Sequence, residues 1–91
     1  MGSDKISRQM IDELYELLVS INTPEDFEDL FCDLCTAREI EQMAQRVAAA
    51  KLLIAGNTYN QVIEKTDISS ATLSRVSRCV QYGKGYKKFI K

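Results

Sequence analysis

One stretch of nine residues limits the folds open to this chain more than any other: residues 47–55 read VAAAKLLIA, with Lys51 the only charged residue. Thr36 and Glu39 stand in the pattern of an N-terminal capping box and predict the start of a helix that ends near Gly56. A helix that is apolar nearly all round is buried on most sides. We therefore expect a second subunit to cover it; the alternative is a position in the middle of a monomeric bundle.

The rest of the chain also has helical periodicity. Apolar residues recur at spacings of three and four before Asn22 and again after Pro24. Thr23 can cap the second of these helices, and Pro24 suits its first position. No segment alternates as a strand, so the sequence predicts an all-α single domain of five or six helices. The helices are expected over residues 5–21, 24–34, 37–56, 59–65 and from 69 or 70 to 81, followed by a short helical or frayed tail at 86–91.

The composition excludes several classes of protein. The chain has no histidine, so it lacks the ordinary general base near neutral pH and the imidazole metal ligand. It also has no pair of carboxylates arranged for acid–base catalysis, and we expect neither enzymatic activity nor a cofactor. No apolar run approaches the ~20 residues of a membrane span, and no secretion signal is evident. These features predict a cytoplasmic protein that does not bind membranes.

Cys32 and Cys35 form a CxxC pair in a chain with three cysteines. A zinc site of this kind normally needs a second Cys/His pair, and Cys79 is the only other candidate ligand. A thioredoxin-like role needs a βαβ setting, which the sequence lacks. We therefore expect no metal site and interpret Cys32 and Cys35 as small buried apolar residues.

The net charge of −1 conceals a strong asymmetry. Residues 1–45 contain three basic and eleven acidic residues, whereas residues 46–91 contain nine basic and two acidic ones. No acidic residue follows Asp67. Such an imbalance suggests a polyanionic partner for the second half, although a solvated basic tail has the same composition.

Residues 58–76 have the layout of a helix-turn-helix, two short helices joined by a turn of a few residues. Thr58 and Ser69 are placed to cap the two helices. The small residues after Ser69 let the second helix enter a major groove, where hydroxyls bond base edges or phosphates. Asp67 stands where glycine is usual, but aspartate tolerates a left-handed turn better than most residues. An ordinary helical hairpin is the alternative. Three apolar residues would lock the two helices together: Val62, Ile68 and Leu73.

The helix-turn-helix implies two groups of DNA-contacting residues, one facing phosphates and one facing the groove. Those expected at phosphates are Thr58, Tyr59, Asn60, Arg78 and Lys84. Those expected to face the groove are Ser69, Ser70, Ala71, Thr72 and Ser74.

The capping box at Thr36, the Arg46–Val47 pair, Leu52–Leu53 before Gly56, and residues 71–75 (ATLSR) together resemble the Trp repressor superfamily. The likeness is greatest to its small Trp-repressor-related members of the YerC/YecD type. The resemblance implies an intertwined all-α homodimer whose two helix-turn-helix heads read successive major grooves of double-stranded DNA, as the Trp repressor does.

The resemblance also implies an effector pocket. In the Trp repressor the indole lies between two arginines, which correspond to Arg46 and Arg75, and Thr36 matches a residue that borders the amino group. Val76 replaces a glycine and Cys79 replaces a serine that helps to hold the ligand. A β-branched side chain would intrude on a flat indole, and a thiol is a weak hydrogen-bond donor. We therefore do not expect tryptophan to bind, and any small-molecule effector would be a different one. The alternative is that Arg46 and Arg75 serve phosphates or structural ion pairs.

These inferences predict a sequence-specific, homodimeric DNA-binding regulator of transcription, most simply a repressor. The alternative is a helical protein-interaction module that uses the same fold without binding DNA. Within the single domain, the expected parts are dimerisation helices at 1–56, a helix-turn-helix at 57–82 and a basic tail at 83–91.

Overall fold

The computed structural model describes the chain from residue 3 to residue 90, and within those residues it contains helices and no strand. None of these helices is long and apolar enough to cross a lipid bilayer. The helices fall into two units, α1–α2 and α3–α6. The all-α prediction is confirmed, with six helices in the described part of the chain: α1 Ser3–Val19, α2 Pro24–Leu34, α3 Ala37–Ile54, α4 Tyr59–Thr66, α5 Ser70–Tyr82 and α6 Gly85–Phe89.

Local signals explain where α2 begins. The Thr23 hydroxyl accepts a hydrogen bond from the backbone N–H of Asp26 at 3.2 Å, and Pro24 opens α2, as the sequence predicts. On the apolar face of α2 the rings of Phe27 and Phe31 meet edge to face with centroids 5.9 Å apart.

The described side chains of the first unit form no buried core. None of the side chains described for α1 and α2 is buried. Met10 is 61% exposed, Leu17 48% and Leu34 48%. Because about half of each of these side chains stays in water, about half of the ~1.5–3 kcal/mol that full burial would contribute is lost. The apolar faces of α1 and α2 therefore remain uncovered in a single chain.

The prediction that Cys32 and Cys35 are buried is wrong for Cys32, which is exposed, while Cys35 is half-buried. The reason is helical phase, because Cys32 lies five residues after Phe27 and so points away from the face that holds the two phenylalanine rings. Among the residues described, no group of three or more potential metal-ligating side chains is found.

The second unit is built around α3, against which α4 and α5 pack. Its buried apolar side chains come from all three helices and from the turn between α4 and α5. One side of α3 stays outside this core: Val47 is 42% exposed and Ile54 37%. The apolar helix predicted from the sequence is therefore only half covered by its own chain. The buried core residues are Ala49, Ala50, Val62, Ile68, Leu73 and Val76.

Candidate nucleic-acid interface

The first helix of the helix-turn-helix begins in a reciprocal capping box. The Thr58 hydroxyl accepts from the backbone N–H of Gln61 at 3.2 Å, and the Gln61 side-chain oxygen accepts from the backbone N–H of Thr58 at 2.8 Å. The predicted cap at Thr58 is confirmed; the role of Gln61 was not predicted, although its spacing fits the capping-box pattern. This arrangement fixes the first turn of α4 and leaves Tyr59 and Asn60 exposed.

The turn between α4 and α5 is closed by hydrogen bonds and by one apolar anchor. Asp67 adopts φ +60°, the left-handed conformation expected where glycine is usual, and its N–H donates to the carbonyl of Ile63 at 2.8 Å. The Thr66 hydroxyl donates to the Val62 carbonyl at 2.7 Å and accepts from the N–H of Ile68. Ile68 is only 2% exposed, so its side chain holds the turn against the core.

A side chain of α3 holds this turn in place, and sequence reasoning missed it. The Gln45 amide nitrogen donates to the backbone carbonyl of Thr66 at 2.9 Å, which satisfies a carbonyl at the C-terminal end of α4. The position of Gln45 in the sequence could have indicated this role, because Gln45 lies one helical turn before the buried Ala49 on the same face of α3. The helix-turn-helix is thereby tied to the helix on which it packs.

The second helix, α5, is capped by Ser69, as predicted. The Ser69 hydroxyl accepts from the backbone N–H of Thr72 at 3.2 Å and donates to the Thr72 hydroxyl at 2.9 Å. Leu73 and Val76 on the inner face are 0% and 1% exposed, and Val62 of α4 is also fully buried. The predicted lock formed by Val62, Ile68 and Leu73 is confirmed, because all three belong to one buried cluster.

The structure places most of the predicted DNA-contacting residues on the surface. Those on the first turns of α5 are small and exposed apart from Thr72, which is half-buried. Those expected at phosphates are all exposed. The exposed members of the two groups are Ser69, Ser70, Ala71, Ser74, Thr58, Tyr59, Asn60, Arg78 and Lys84.

Of the predicted effector-pocket residues, Arg46 alone lines the polar groove beside the helix-turn-helix. Val76 belongs to the apolar core at 1% exposure, Arg75 is exposed and Cys79 is half-buried. Thr36 lies in the first unit. Arg46 lines a polar groove of about 560 Å³ between α3 and the start of α5, and neither Arg75, Val76 nor Cys79 contributes to that groove. Its lining residues are Arg38, Glu41, Gln42, Gln45, Arg46, Asp67, Ser69 and Thr72.

Sequence comparisons with known proteins support this architecture. The family model described as Trp repressor protein matches residues 9–91. The chain belongs to the Trp repressor family. It is 41% identical over 83 residues to an uncharacterized protein of Bacillus subtilis (strain 168), YerC, and the match covers 91% of this chain and 80% of that protein. It is 32% identical over 81 residues to a Trp operon repressor homolog of Chlamydia caviae, covering 87% of this chain and 80% of the homolog.

A solved structure gives the same result for the fold. A TrpR-like protein from Eubacterium eligens is 37% identical and superposes with a TM-score of 0.86, covering 93% of this chain and 89% of the other. The family is one of transcription repressors and not of enzymes. The resemblance stated from the sequence is confirmed at the level of family and fold.

Proposed function

We propose that the protein is a sequence-specific DNA-binding regulator of transcription, most simply a repressor, that acts as a homodimer. The observation that carries this proposal is the start of α5. Its inner face is fixed by Leu73 and Val76, at 0% and 1% exposure, while Ser70, Ala71 and Ser74 stand exposed on the other side. A rigidly held helix end with small polar side chains is what direct reading of a major groove requires.

The expected contacts divide by chemistry. Ser70 and Ser74 carry hydroxyls that can donate to or accept from base edges, and the Ala71 methyl suits contact with the C5-methyl group of thymine. The capped first turn of α4 presents backbone N–H groups and the Asn60 amide to a phosphate. Arg78 adds a cation, which positions the protein on the duplex without reading sequence.

Apolar surfaces that one chain leaves exposed support the proposal of a homodimer. The described side chains of α1 and α2 include no buried residue, and Val47 on the outer side of α3 is 42% exposed. Large contiguous apolar surfaces on a soluble protein usually mark an interface. A second copy presents the same surfaces in an isologous arrangement, and two copies of α5 would then read two half-sites one helical turn apart.

We infer that any small-molecule effector differs from tryptophan. Val76 fills the space beside α3 that a flat indole would need, since its side chain is part of the buried core. Arg46 faces a groove whose lining includes two arginines and two carboxylates. That lining suits a polar ligand better than an aromatic one.

The decisive experiment selects bound sequences from a random duplex pool with the purified protein, then measures affinity for the selected duplex at increasing salt. We expect a defined motif and a loss of at least about tenfold between ~50 and ~200 mM salt, as two or three phosphate contacts give. Ala71→Glu should abolish binding by placing a carboxylate against the duplex. Ser7→Glu, which adds the same charge to an exposed position of α1, is the matched control.

The rival function is a protein-interaction module. Binding of an acidic protein together with no enriched sequence and a flat response to salt would support that rival. The exposed surface at the start of α5 favours DNA because its small hydroxyl-bearing residues offer little apolar area for a protein interface.

A further inference from the structure

The end of α2 carries two thiols that have no part in the proposed DNA interface. Cys32 is exposed and Cys35 is half-buried, and both are free cysteines. The sequence predicts inert, buried residues at both positions, but the exposure of Cys32 removes the reason for that interpretation. The thiolate of an accessible cysteine is a nucleophile that attacks other sulfur atoms. The pair is therefore a candidate site for thiol chemistry.

The helix brings the two thiols to neighbouring positions. Cys32 lies within α2, and the backbone N–H of Cys35 donates to the carbonyl of Phe31 at 2.9 Å, so Cys35 takes the next position of the helix. Residues three apart on a helix are separated by about 60° around its axis, and their Cα atoms are about 5 Å apart. That separation is within the range of about 4.4–6.8 Å found between the Cα atoms of disulfides.

A bond between these thiols requires a small rearrangement, and the position of Cys35 allows it. Cβ atoms three residues apart on a helix are about 5–6 Å apart, whereas those of a disulfide are about 3.5–4.5 Å apart. Cys35 is the C-terminal cap of α2, and its backbone is already extended, with φ −126° and ψ 156°. Since α2 ends at Leu34, Cys35 can approach Cys32 by a change in the last turn alone.

The tightened turn would move a residue of the exposed apolar face. A disulfide between Cys32 and Cys35 encloses Leu34, so closing it changes the backbone at that residue. Leu34 is 48% exposed and lies on the face of α2 that a second chain covers in the proposed homodimer. Cys32 lies about 100° around the helix from Phe31 and further still from Leu34. It is therefore outside that face, and a small reagent can reach it in the dimer.

We propose that Cys32 and Cys35 form a reversible intrachain disulfide by exchange with a small-molecule disulfide, and that this bond weakens the dimer. The Cys32 thiolate attacks one sulfur atom of the small disulfide, which breaks its S–S bond and releases one thiol. The Cys35 thiolate then attacks the Cys32 sulfur and releases the second thiol. The two cysteines lose two electrons in total, and the released thiols take up these electrons and the two cysteine protons. The effect on the dimer rests on the proposed function.

Accessibility and helix geometry explain the order of attack and the reversibility. Cys32 reacts first because it is exposed, and the half-buried Cys35 resolves the mixed disulfide from the adjacent position. The closed bond holds the last turn of α2 away from helical geometry. Strained or exposed disulfides are the ones that small thiols reduce readily. The bond therefore responds to the balance of thiols and disulfides around the protein.

The chemical test uses the full chain with Cys79→Ser, so that only the pair can react. After incubation with glutathione disulfide we expect an intact mass lower by two hydrogen atoms, which dithiothreitol restores. Adding Cys35→Ser should stop the reaction at a mixed disulfide of glutathione with Cys32. Adding Cys32→Ser should instead give a slower reaction, because the remaining thiol is half-buried.

The second test compares the sedimentation of the oxidised and reduced forms of that chain. Each dimer contains two Leu34 side chains, and loss of the burial that both gain on association should raise the dimer dissociation constant by at least about tenfold. The matched control adds Cys32→Ser/Cys35→Ser to the same chain. After the same treatment it should keep the dissociation constant of the reduced form.

Three outcomes would overturn the proposal: a chain that carries two glutathione adducts, a disulfide between two chains, or a closed intrachain disulfide with an unchanged dissociation constant. A reduced protein that sediments as a monomer would instead overturn the proposed homodimer. In that case the mass measurement still decides whether Cys32 and Cys35 form the disulfide.

Discussion

The two units of this chain differ in how far their apolar side chains are buried. Helices α3–α6 enclose a core in which six apolar residues are at most 2% exposed, whereas no side chain described in α1 or α2 is buried. Their charges also differ: residues 1–36 contain nine acidic and two basic residues, and residues 37–91 contain four acidic and ten basic ones. This difference is the basis of our proposal that the second unit holds a rigid site for a polyanion and that the first covers apolar surface on another molecule.

The largest effect should come from placing a charge on the uncovered face of the first unit. Leu34→Asp introduces a carboxylate where we propose that a second chain packs, and a buried unpaired charge is several kcal/mol unfavourable. We expect loss of the folded dimer at micromolar concentration, measured by sedimentation and circular dichroism. Glu28→Gln on an exposed part of the same helix is the control and should remain dimeric. A wild-type chain that sediments as a folded monomer would show that the contrast between the units has another cause.

The core of the second unit offers the next largest effect. Leu73 is fully buried, and truncating such a leucine to alanine typically costs about 2–5 kcal/mol. We expect Leu73→Ala to lower the free energy of unfolding by that amount in urea titrations. Ser74→Ala, the exposed neighbour, should change it by no more than about 0.5 kcal/mol. Equal effects at the two positions would mean that the lock between α4 and α5 contributes little to stability.

A smaller effect is expected at the caps of the helix-turn-helix. Ser69→Ala removes the acceptor for the N–H of Thr72, which should cost about 1 kcal/mol of folding free energy. Because Ser69 also lies beside the turn of α5 that we propose reads the groove, the affinity for DNA should fall together with the stability. Ser69→Asn, which retains a capping oxygen, separates the roles: recovery of stability without recovery of affinity would indicate a direct contact with DNA.

Much of this architecture could be predicted because the signals are local. Thr23, Thr58 and Ser69 each cap a helix, and their short side chains act within three residues of themselves. Asp67 likewise reveals its left-handed conformation through the turn in which it stands. These features need no knowledge of tertiary structure, so helix starts and the layout of the helix-turn-helix follow from the sequence.

Features that depend on packing between helices could not be predicted in the same way. The hydrogen bond from Gln45 to the Thr66 carbonyl joins residues 21 positions apart, and a glutamine on a helix gives no sign of such a partner. Arg46 lines a polar groove beside the turn between α4 and α5, and its position on α3 gives no sign of that groove in the sequence. Which side of a helix a long side chain takes is decided by its neighbours in space.

The last prediction is that tryptophan has no effect on this protein. A ligand at a hundredfold excess over its dissociation constant stabilises the protein that binds it by about 2.7 kcal/mol. Val76 is 1% exposed and packs in the core beside α3, so we expect millimolar tryptophan to leave both the melting temperature and DNA binding unchanged.

The double variant Val76→Gly/Cys79→Ser tests whether these two side chains are the reason why tryptophan does not bind. The first change opens space beside α3, and the second restores a hydroxyl that can hydrogen-bond a ligand. Glycine within a helix is about 1 kcal/mol less favourable than alanine, and removing the buried Val76 side chain leaves a cavity, so the variant should melt at a lower temperature than wild type. Tryptophan should then raise the melting temperature of the variant only. A clear shift in the unmodified protein would show instead that the core beside α3 opens to admit an indole, and that the second unit is less rigid than its buried residues imply.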